Sequence, residues 1–462
     1  MAGTARVSVD EHRADVAALL APLVEEARRR ARTEEVLLAD ALGRVLAGDL
    51  AAPVAVPLFR NSQMDGYAVR AADVAGASPD APVRLVVVAE IPAAPGVPTA
   101  LAPGAAARIM TGAPVPDGAD AVVPVEDTGT GSFAGTAGTG STGGAAGDER
   151  ARGSRDDAPG SGPRDVVEVR APRAPGDFVR EAGSDVRPGD VLLADGTVLA
   201  PHHLAAAAAC GVGSVRVVAR PRVAVLSTGS ELVGPGETPG PGQVFDANAD
   251  ALGAAVRRAG GDVVLTARCG DDAARFAAVL AEAAAVADLV VTSGGVSQGA
   301  YEVVKDVLAG SGAVGSRVVD QGAGQEAGRA ASPVVTFRSV AMQPGGPQGF
   351  GTVHGTPVLT FPGNPVSAQV SFAMFLREPL ERAAGLPAVD RVRTAVLAEG
   401  LTSPAGKHQL LRGATGPDGT VRVVGGAGSH LVAAMARADV LVDVPADVTQ
   451  WDAGTEVEVR EL

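Results

Sequence analysis

The sequence predicts a multi-domain protein of α/β plus β class: a central three-layer domain on a parallel sheet, an inserted β domain, and a small C-terminal β domain. Three observations carry this. At 462 residues the chain exceeds the roughly 100–200 of a single domain. From residue 222 onward short apolar runs alternate with helical patterns, the texture of strands joined by crossover helices. Residues 51–179 and those after Leu386 carry short Val-rich runs broken by Pro and Gly, which read as strands of separate β domains.

Taken in order, Val16, Leu19, Leu20, Leu23 and Val24 fall at helical spacing and predict an amphipathic helix over 10–30 with Asp10 as cap. A second short helix is expected over 36–42, ending at Gly43. Strands are expected at 83–88, 121–125 and 166–169. Between them, 129–165 is Gly, Ser, Thr and mixed charge with little to bury, and reads as a disordered loop. The α/β section then gives strand 223–226, helix 247–259, strand 262–266, helix 273–287, strand 289–292, helix 301–308, strand 358–361 and helix 365–384. Runs at 392–397, 421–424, 440–444 and 456–459 complete the C-terminal β domain. The boundaries drawn are 1–30 (helix packing on the α/β domain), 31–50 with 180–214 (linker domain), 51–179, 215–385 and 386–462.

Composition narrows the function. With 39 Lys and Arg against 53 Asp and Glu, the net charge of −14 argues against a nucleic-acid partner, which calls for a basic face. No run reaches the roughly 18 apolar residues of a membrane span. Asp10, Glu11, His12 and Arg13 stand where a secretory signal would be apolar. Cys210 and Cys269 lack metal or redox spacing and read as buried thiols of a reducing compartment, so a cytoplasmic location is expected. Only Lys305 and Lys407 are lysines, and only Asn61, Asn248 and Asn364 are asparagines.

The chemistry collects at strand ends. Ser227-Thr228-Gly229-Ser230-Glu231, Ser293-Gly294-Gly295-Val296-Ser297-Gln298-Gly299 and Pro362-Gly363-Asn364-Pro365 each follow a strand of the same sheet. Glycines there let backbone N–H groups approach an anion, and a helix N-terminus adds favourable partial charge. Three such loops at one edge predict a phosphate-binding pocket. Glu231, Asp246, Asp271, Asp272 and Glu302 fall beside them, with Lys305 one helical turn past Glu302. Carboxylates around an anion cradle point to a divalent cation, Mg²⁺, which takes oxygen ligands and bridges phosphates. Asp65 and Thr111 sit in two further dense stretches, 57–68 and 107–116.

The stretches PLFRNSQMDGYA, RIMTGAPVPDGADAVV, VLSTGSEL, VTSGGVSQG and TFPGNPVSA resemble the molybdopterin molybdenumtransferase family (MoeA, and the C-terminal domain of gephyrin). The likeness runs from about residue 10 onward, excepting 129–165 and a shorter insert near 321–333. It implies a magnesium-dependent transferase of molybdenum cofactor biosynthesis that inserts molybdate into adenylylated molybdopterin and releases AMP. It also implies a homodimer with the active site shared between subunits, and a molybdopterin-binding role for the α/β domain. By position, the family's site residues match Asp65, Thr111, Asp185, Glu231, Asp271 and Glu302, of which Asp65, Glu231 and Asp271 are assigned to the cation. Ser227, Thr228, Gly229, Ser293, Gly294, Gly295, Ser297, Gly299, Lys305, Pro362, Gly363, Asn364 and Pro365 are assigned to the substrate cradle. One departure stands out. Many members read KPGKP where this chain has Gln343-Pro344-Gly345-Gly346-Pro347, so Lys305, Arg338 and Arg412 become the candidates to replace the lost charge. The competing readings are a molybdopterin adenylyltransferase and a non-catalytic scaffold of gephyrin type.

Overall fold

A computed structural model describes residues 6–129, 165–296, 303–308 and 334–462. The loop expected at 129–165 and the insert near 321–333 therefore lie, almost entirely and entirely, outside the described residues. The chain forms two compact units, one of Met1–Gly48, Asp195–Ala200 and Val215–Leu462, the other of Asp49–Ala194 and Pro201–Ser214.

In the first unit a six-stranded sheet runs in the order Asp262–Cys269, Arg222–Thr228, Leu289–Ser293, Thr356–Phe361, Pro347–Val353, Val334–Ser339. The first four strands are parallel. The last two are antiparallel additions that the sequence reading lacked. Pro347–Val353 joins Thr356–Phe361 through His354 and Gly355, at φ +50° and +85°. Two successive positive φ values make a tight hairpin turn, and a hairpin pairs its strands antiparallel. The expected parallel sheet is present in the first four strands, and the hairpin adds the antiparallel pair at its edge.

Alternation along the strands builds the three layers. Val223, Val225, Leu289, Val291, Leu359 and Phe361 face one core with Leu252 and Val256 of helix Asn248–Arg258. Ala224, Leu226, Val290 and Val358 face the other with Phe276 and Leu280 of helix Ala273–Val286. Val16 and Leu20 of the N-terminal helix, Val9–Arg28, join the first core. That helix is capped by Ser8, whose hydroxyl accepts from the Glu11 N–H at 3.0 Å, and not by Asp10, which pairs with Arg13 at 2.8 Å. The short helix expected at 36–42 is instead a strand, Thr33–Leu37, and a 3-10 turn, Leu38–Asp40. The strand pairs with Ser214–Val218, a partner too distant in sequence for a local pattern to reveal. The helix expected at 365–384 begins as Pro365–Ser371, widens to a π turn at Phe372–Leu376 and continues as Arg377–Ala383. The wide turn sits where the Pro379 ring would otherwise meet the Phe375 carbonyl.

The C-terminal strands Val392–Leu397, His408–Thr415, Thr420–Val423, Val440–Val444 and Glu456–Glu461 close into a barrel, because His408–Thr415 pairs with both Thr420–Val423 and Val440–Val444. His408–Thr415 escaped the sequence reading because its charged and polar residues mask its apolar face. The second unit centres on a five-stranded sheet, Ala121–Pro124, Gly66–Val69, Ala105–Ile109, Val83–Ile91, Val166–Val169, with a core on each face.

Candidate functional site

Three strands of the first unit end in register: Ser227 lies opposite Ser293, and Ser293 opposite Phe361. The loops that follow therefore turn at one edge. Gly294 is the tightest point. A methyl group on it would lie 2.4 Å from the Thr228 carbonyl oxygen, and its φ of +96° already disfavours a side chain. Gly363 approaches from the other side, where an added Cβ would meet the Gly294 Cα at 3.3 Å. Together these loops line a cavity of about 530 Å³.

Buried polar groups brace the loops from behind. Ser227 Oγ meets Asp246 Oδ1 at 3.2 Å, and Thr228 Oγ1 donates to the Ser293 carbonyl at 3.1 Å. Asp246 is 2% exposed and accepts from the Asn248 and Ala249 N–H groups at 3.0 and 3.1 Å, fixing the start of helix Asn248–Arg258. Asn248 Nδ2 donates to the Gly363 carbonyl at 2.7 Å, tying that helix to the third loop. Among the described residues, buried Asn248 Oδ1 has no hydrogen-bond partner, nor does Asp246 Oδ2, which Arg268 Nε approaches to 3.5 Å.

Glu231, Asp246 and Asp271 supply the charge of the lining, and among its described residues there is no Lys, Arg or His. The Glu231 carboxylate folds back over Gly229, within 2.8 Å of where a Cβ would stand. The Asp271 N–H donates to Ser230 Oγ at 3.0 Å, which sets the second carboxylate beside the first loop. No cluster of three or more His, Cys, Asp or Glu forms a metal cage among the described residues. Two exposed carboxylates leave most of a cation's oxygen positions to substrate and water, a donor set that suits Mg²⁺ better than a closed protein cage would.

In the second unit Asp65 Oδ1 accepts from the Thr111 N–H at 2.7 Å and the Thr111 hydroxyl at 2.8 Å. Those two bonds, the backbone one foremost, hold the Asp65 carboxyl below the usual carboxylate range. The structure thus joins two stretches that the sequence left separate. Asp185 is exposed, its N–H donating to the Val56 carbonyl at 3.0 Å.

The remaining expected residues are distributed as follows. Thr228, Gly229, Glu231, Asp271, Gly294, Gly295, Pro362, Gly363, Asn364 and Pro365 line the cavity. Ser227 and Ser293 are buried behind it. Ser297, Gly299 and Glu302 lie outside the described residues. Lys305 is outside the lining, with its ammonium 6.0 Å from the Phe337 ring centre. Arg338 and Arg412 do not replace the missing lysines of the 343–347 segment. Arg338 pairs with Asp15 at 2.6 Å, and Arg412, 1% exposed, donates to the carbonyls of Gly426, Gly428 and Val424. Gln343 accepts from Gln409 at 3.0 Å, and of that segment only Pro347 reaches the cavity.

Sequence reasoning missed Val244 and Phe245, which line the cavity yet are 52% and 50% exposed. They pair with Leu232 and Val233 as an apolar lip. An available signal was a Phe ending a Gly- and Pro-rich stretch, apolar where nothing nearby needed filling.

Comparison with known proteins agrees along the chain. Residues 7–211 match the MoeA N-terminal region (domain I and II), 224–382 a probable molybdopterin binding domain, and 394–462 the MoeA C-terminal region (domain IV). Molybdopterin molybdenumtransferase 2 of Mycobacterium tuberculosis is 44% identical over 457 residues, covering 98% of this chain and 99% of the relative. Molybdopterin molybdenumtransferase 1 of the same organism is 32% identical over 482 residues, with 98% and 99% covered. The crystal structure of a molybdopterin biosynthesis MoeA protein from Pyrococcus horikosii superposes with a TM-score of 0.66 at 30% identity, covering 96% of this chain and 98% of that one.

Proposed function

The chain belongs to the MoeA family of molybdopterin molybdenumtransferases, and from that premise we propose that it completes molybdenum cofactor biosynthesis by inserting molybdate into adenylylated molybdopterin with release of AMP. The observation that carries this is the meeting of the Gly229, Gly294 and Gly363 loops at one sheet edge, where with the start of helix Asn248–Arg258 they line a cavity of about 530 Å³. Such a cradle binds phosphate by shape and dipole. The exposed Val244–Phe245 lip offers a flat apolar surface to a pterin or adenine ring.

Within this reading Glu231 and Asp271 would hold Mg²⁺ at the glycine-lined cavity, and Asp65 would serve the reaction as a carboxylate of the second unit. When bound, the cation supplies Lewis-acid polarisation of the phosphoanhydride and offsets the like charge of carboxylates and substrate. The loops position the phosphates, Asp246 and Asn248 keep the helix start aimed at them, and the low pKa of Asp65 keeps its carboxylate ionised. Rate enhancement then rests on positioning and charge stabilisation, without a covalent enzyme intermediate. A homodimer with a shared active site belongs to the same proposal. It is supported by the family resemblance. The five-part division of the chain is supported by family matches that break near 211–224 and 382–394. A cytoplasmic location is supported by two buried free cysteines, and no described helix is long and apolar enough to cross a membrane.

The test is AMP release by the purified protein given adenylyl-molybdopterin, Mg²⁺ and molybdate. Consumption of ATP instead identifies an adenylyltransferase, and no AMP at any molybdate concentration leaves the scaffold reading. Asp65→Asn and Glu231→Gln are each expected to abolish release with unchanged circular dichroism; unchanged rates refute the assignment of these carboxylates.

A further inference from the structure

Helix Asn248–Arg258 starts at the glycine-lined cavity, and its Ala251, Ala255 and Arg258, four and three residues apart, line a different cavity of about 530 Å³. Phe372 and Met435, 2% and 7% exposed, form part of its wall. Three arginines line it, Arg258, Arg377 and Arg391. The Glu381 carboxylate, 6% exposed, gives both oxygens to Arg391 at 2.8 Å. Arg377 commits one nitrogen to the Glu461 main-chain carbonyl at 2.7 Å. The Arg258 side chain has no hydrogen bond or ion pair among the described residues. Burial, then the nearby Arg391 and Arg258 charges, holds Arg377 below the usual arginine range, the mark of cations crowded without enough counter-charge. Against three arginines the described lining sets a single acidic side chain, Glu381, so it is net positive.

We propose that this cavity is a second small-molecule site, separate from the glycine-lined one, for a planar phosphate monoester. The uncommitted donors of Arg258 and Arg377 match phosphate oxygens in paired fashion, and a dianion balances the excess charge. Beside Arg258, Ala251 and Ala255 of the same helix face present only methyl groups, and with Phe372 and Met435 they give the cavity apolar walls for a flat body.

The probe is phenyl phosphate, titrated calorimetrically into the full chain, with inorganic phosphate and benzoate as comparisons. Saturable binding is expected. Arg258→Gln weakens it about tenfold by removing a charge-assisted contact. Ala255→Trp fills the slot while leaving every charge in place, and abolishes it. Glu231→Gln, at the other cavity, leaves it unchanged. Inorganic phosphate binds more weakly, for want of the flat body. The proposal is overturned by no saturable heat, by equal affinity in the Arg258→Gln or Ala255→Trp proteins, or by loss in Glu231→Gln. Benzoate binding as tightly as phenyl phosphate overturns the assignment to phosphate. Thermal unfolding of both cavity variants verifies that they fold, and crystallographic soaking of the wild-type protein locates the probe if either does not.

Discussion

At the edge of the α/β sheet Gly294 is wedged between the Thr228 carbonyl and Gly363, with buried Ser227, Ser293 and Asp246 behind. In the other unit Asp65 stands exposed and is held by two bonds from one neighbour, Thr111. The first region is a shape made of backbone, where side chains are excluded or serve as bracing. The second is a single side chain whose charge and direction are set by a turn. A backbone cradle fails when anything is added to it, whereas a held carboxylate fails when something is taken away.

The largest effect is expected at the cradle. Gly294→Val places side-chain atoms against the Thr228 carbonyl and strains a positive φ, so stability falls by roughly 3 kcal/mol. Displacement of the loop lowers AMP release by about hundredfold. Chemical denaturation and the AMP assay read the two losses, and an active Gly294→Val protein breaks the contrast. Asp246→Ala comes next. It removes the acceptor of two helix N–H groups and of Ser227, at a cost of about 2 kcal/mol in the denaturation midpoint. In the second unit Gly112, beside Thr111, has φ +79° but open space around its Cβ. Gly112→Ala is therefore expected to cost only about 1 kcal/mol, from conformation alone; a loss as large as that at Gly294 erases the distinction.

The smallest effect is the one that best isolates the second region. Thr111→Val removes the hydroxyl bond to Asp65 and keeps the backbone one, so the Asp65 pKa rises part of the way toward its ordinary value. Asp65 is needed ionised, so the acid limb of the rate profile moves to higher pH, while the rate well above it is little changed. The same lowered pKa stabilises the fold above the ordinary carboxylate range, a contribution lost as pH falls through the folded value; Thr111→Val reduces it. An unmoved acid limb in pH-dependent assays separates Asp65 from the titration that controls activity.

Much of this was legible beforehand. The four parallel strands announced themselves as short apolar runs, and the glycines marked where each one turned. Asn248 and Asn364, two of only three asparagines, stood out against the composition, and both line the cavity. Other features carried no local signal. The strand Thr33–Leu37 exists because Ser214–Val218 lies beside it, and the 36–42 stretch read alone favours a helix. Arg338 and Arg412 looked available as cations until their partners, Asp15 and three main-chain carbonyls, came into contact with them.

The sequence by itself determined the family, the class of fold and which strand ends carry the chemistry, because periodicity, turn residues and motif order are written in neighbouring positions. Only the tertiary structure decided that Asp65 and Thr111 are one device, that Asn248 ties a helix to the Gly363 loop, and which arginines are already engaged. Those facts depend on which distant groups meet, and a hydrogen bond between residues 46 or 115 positions apart leaves no pattern along the chain.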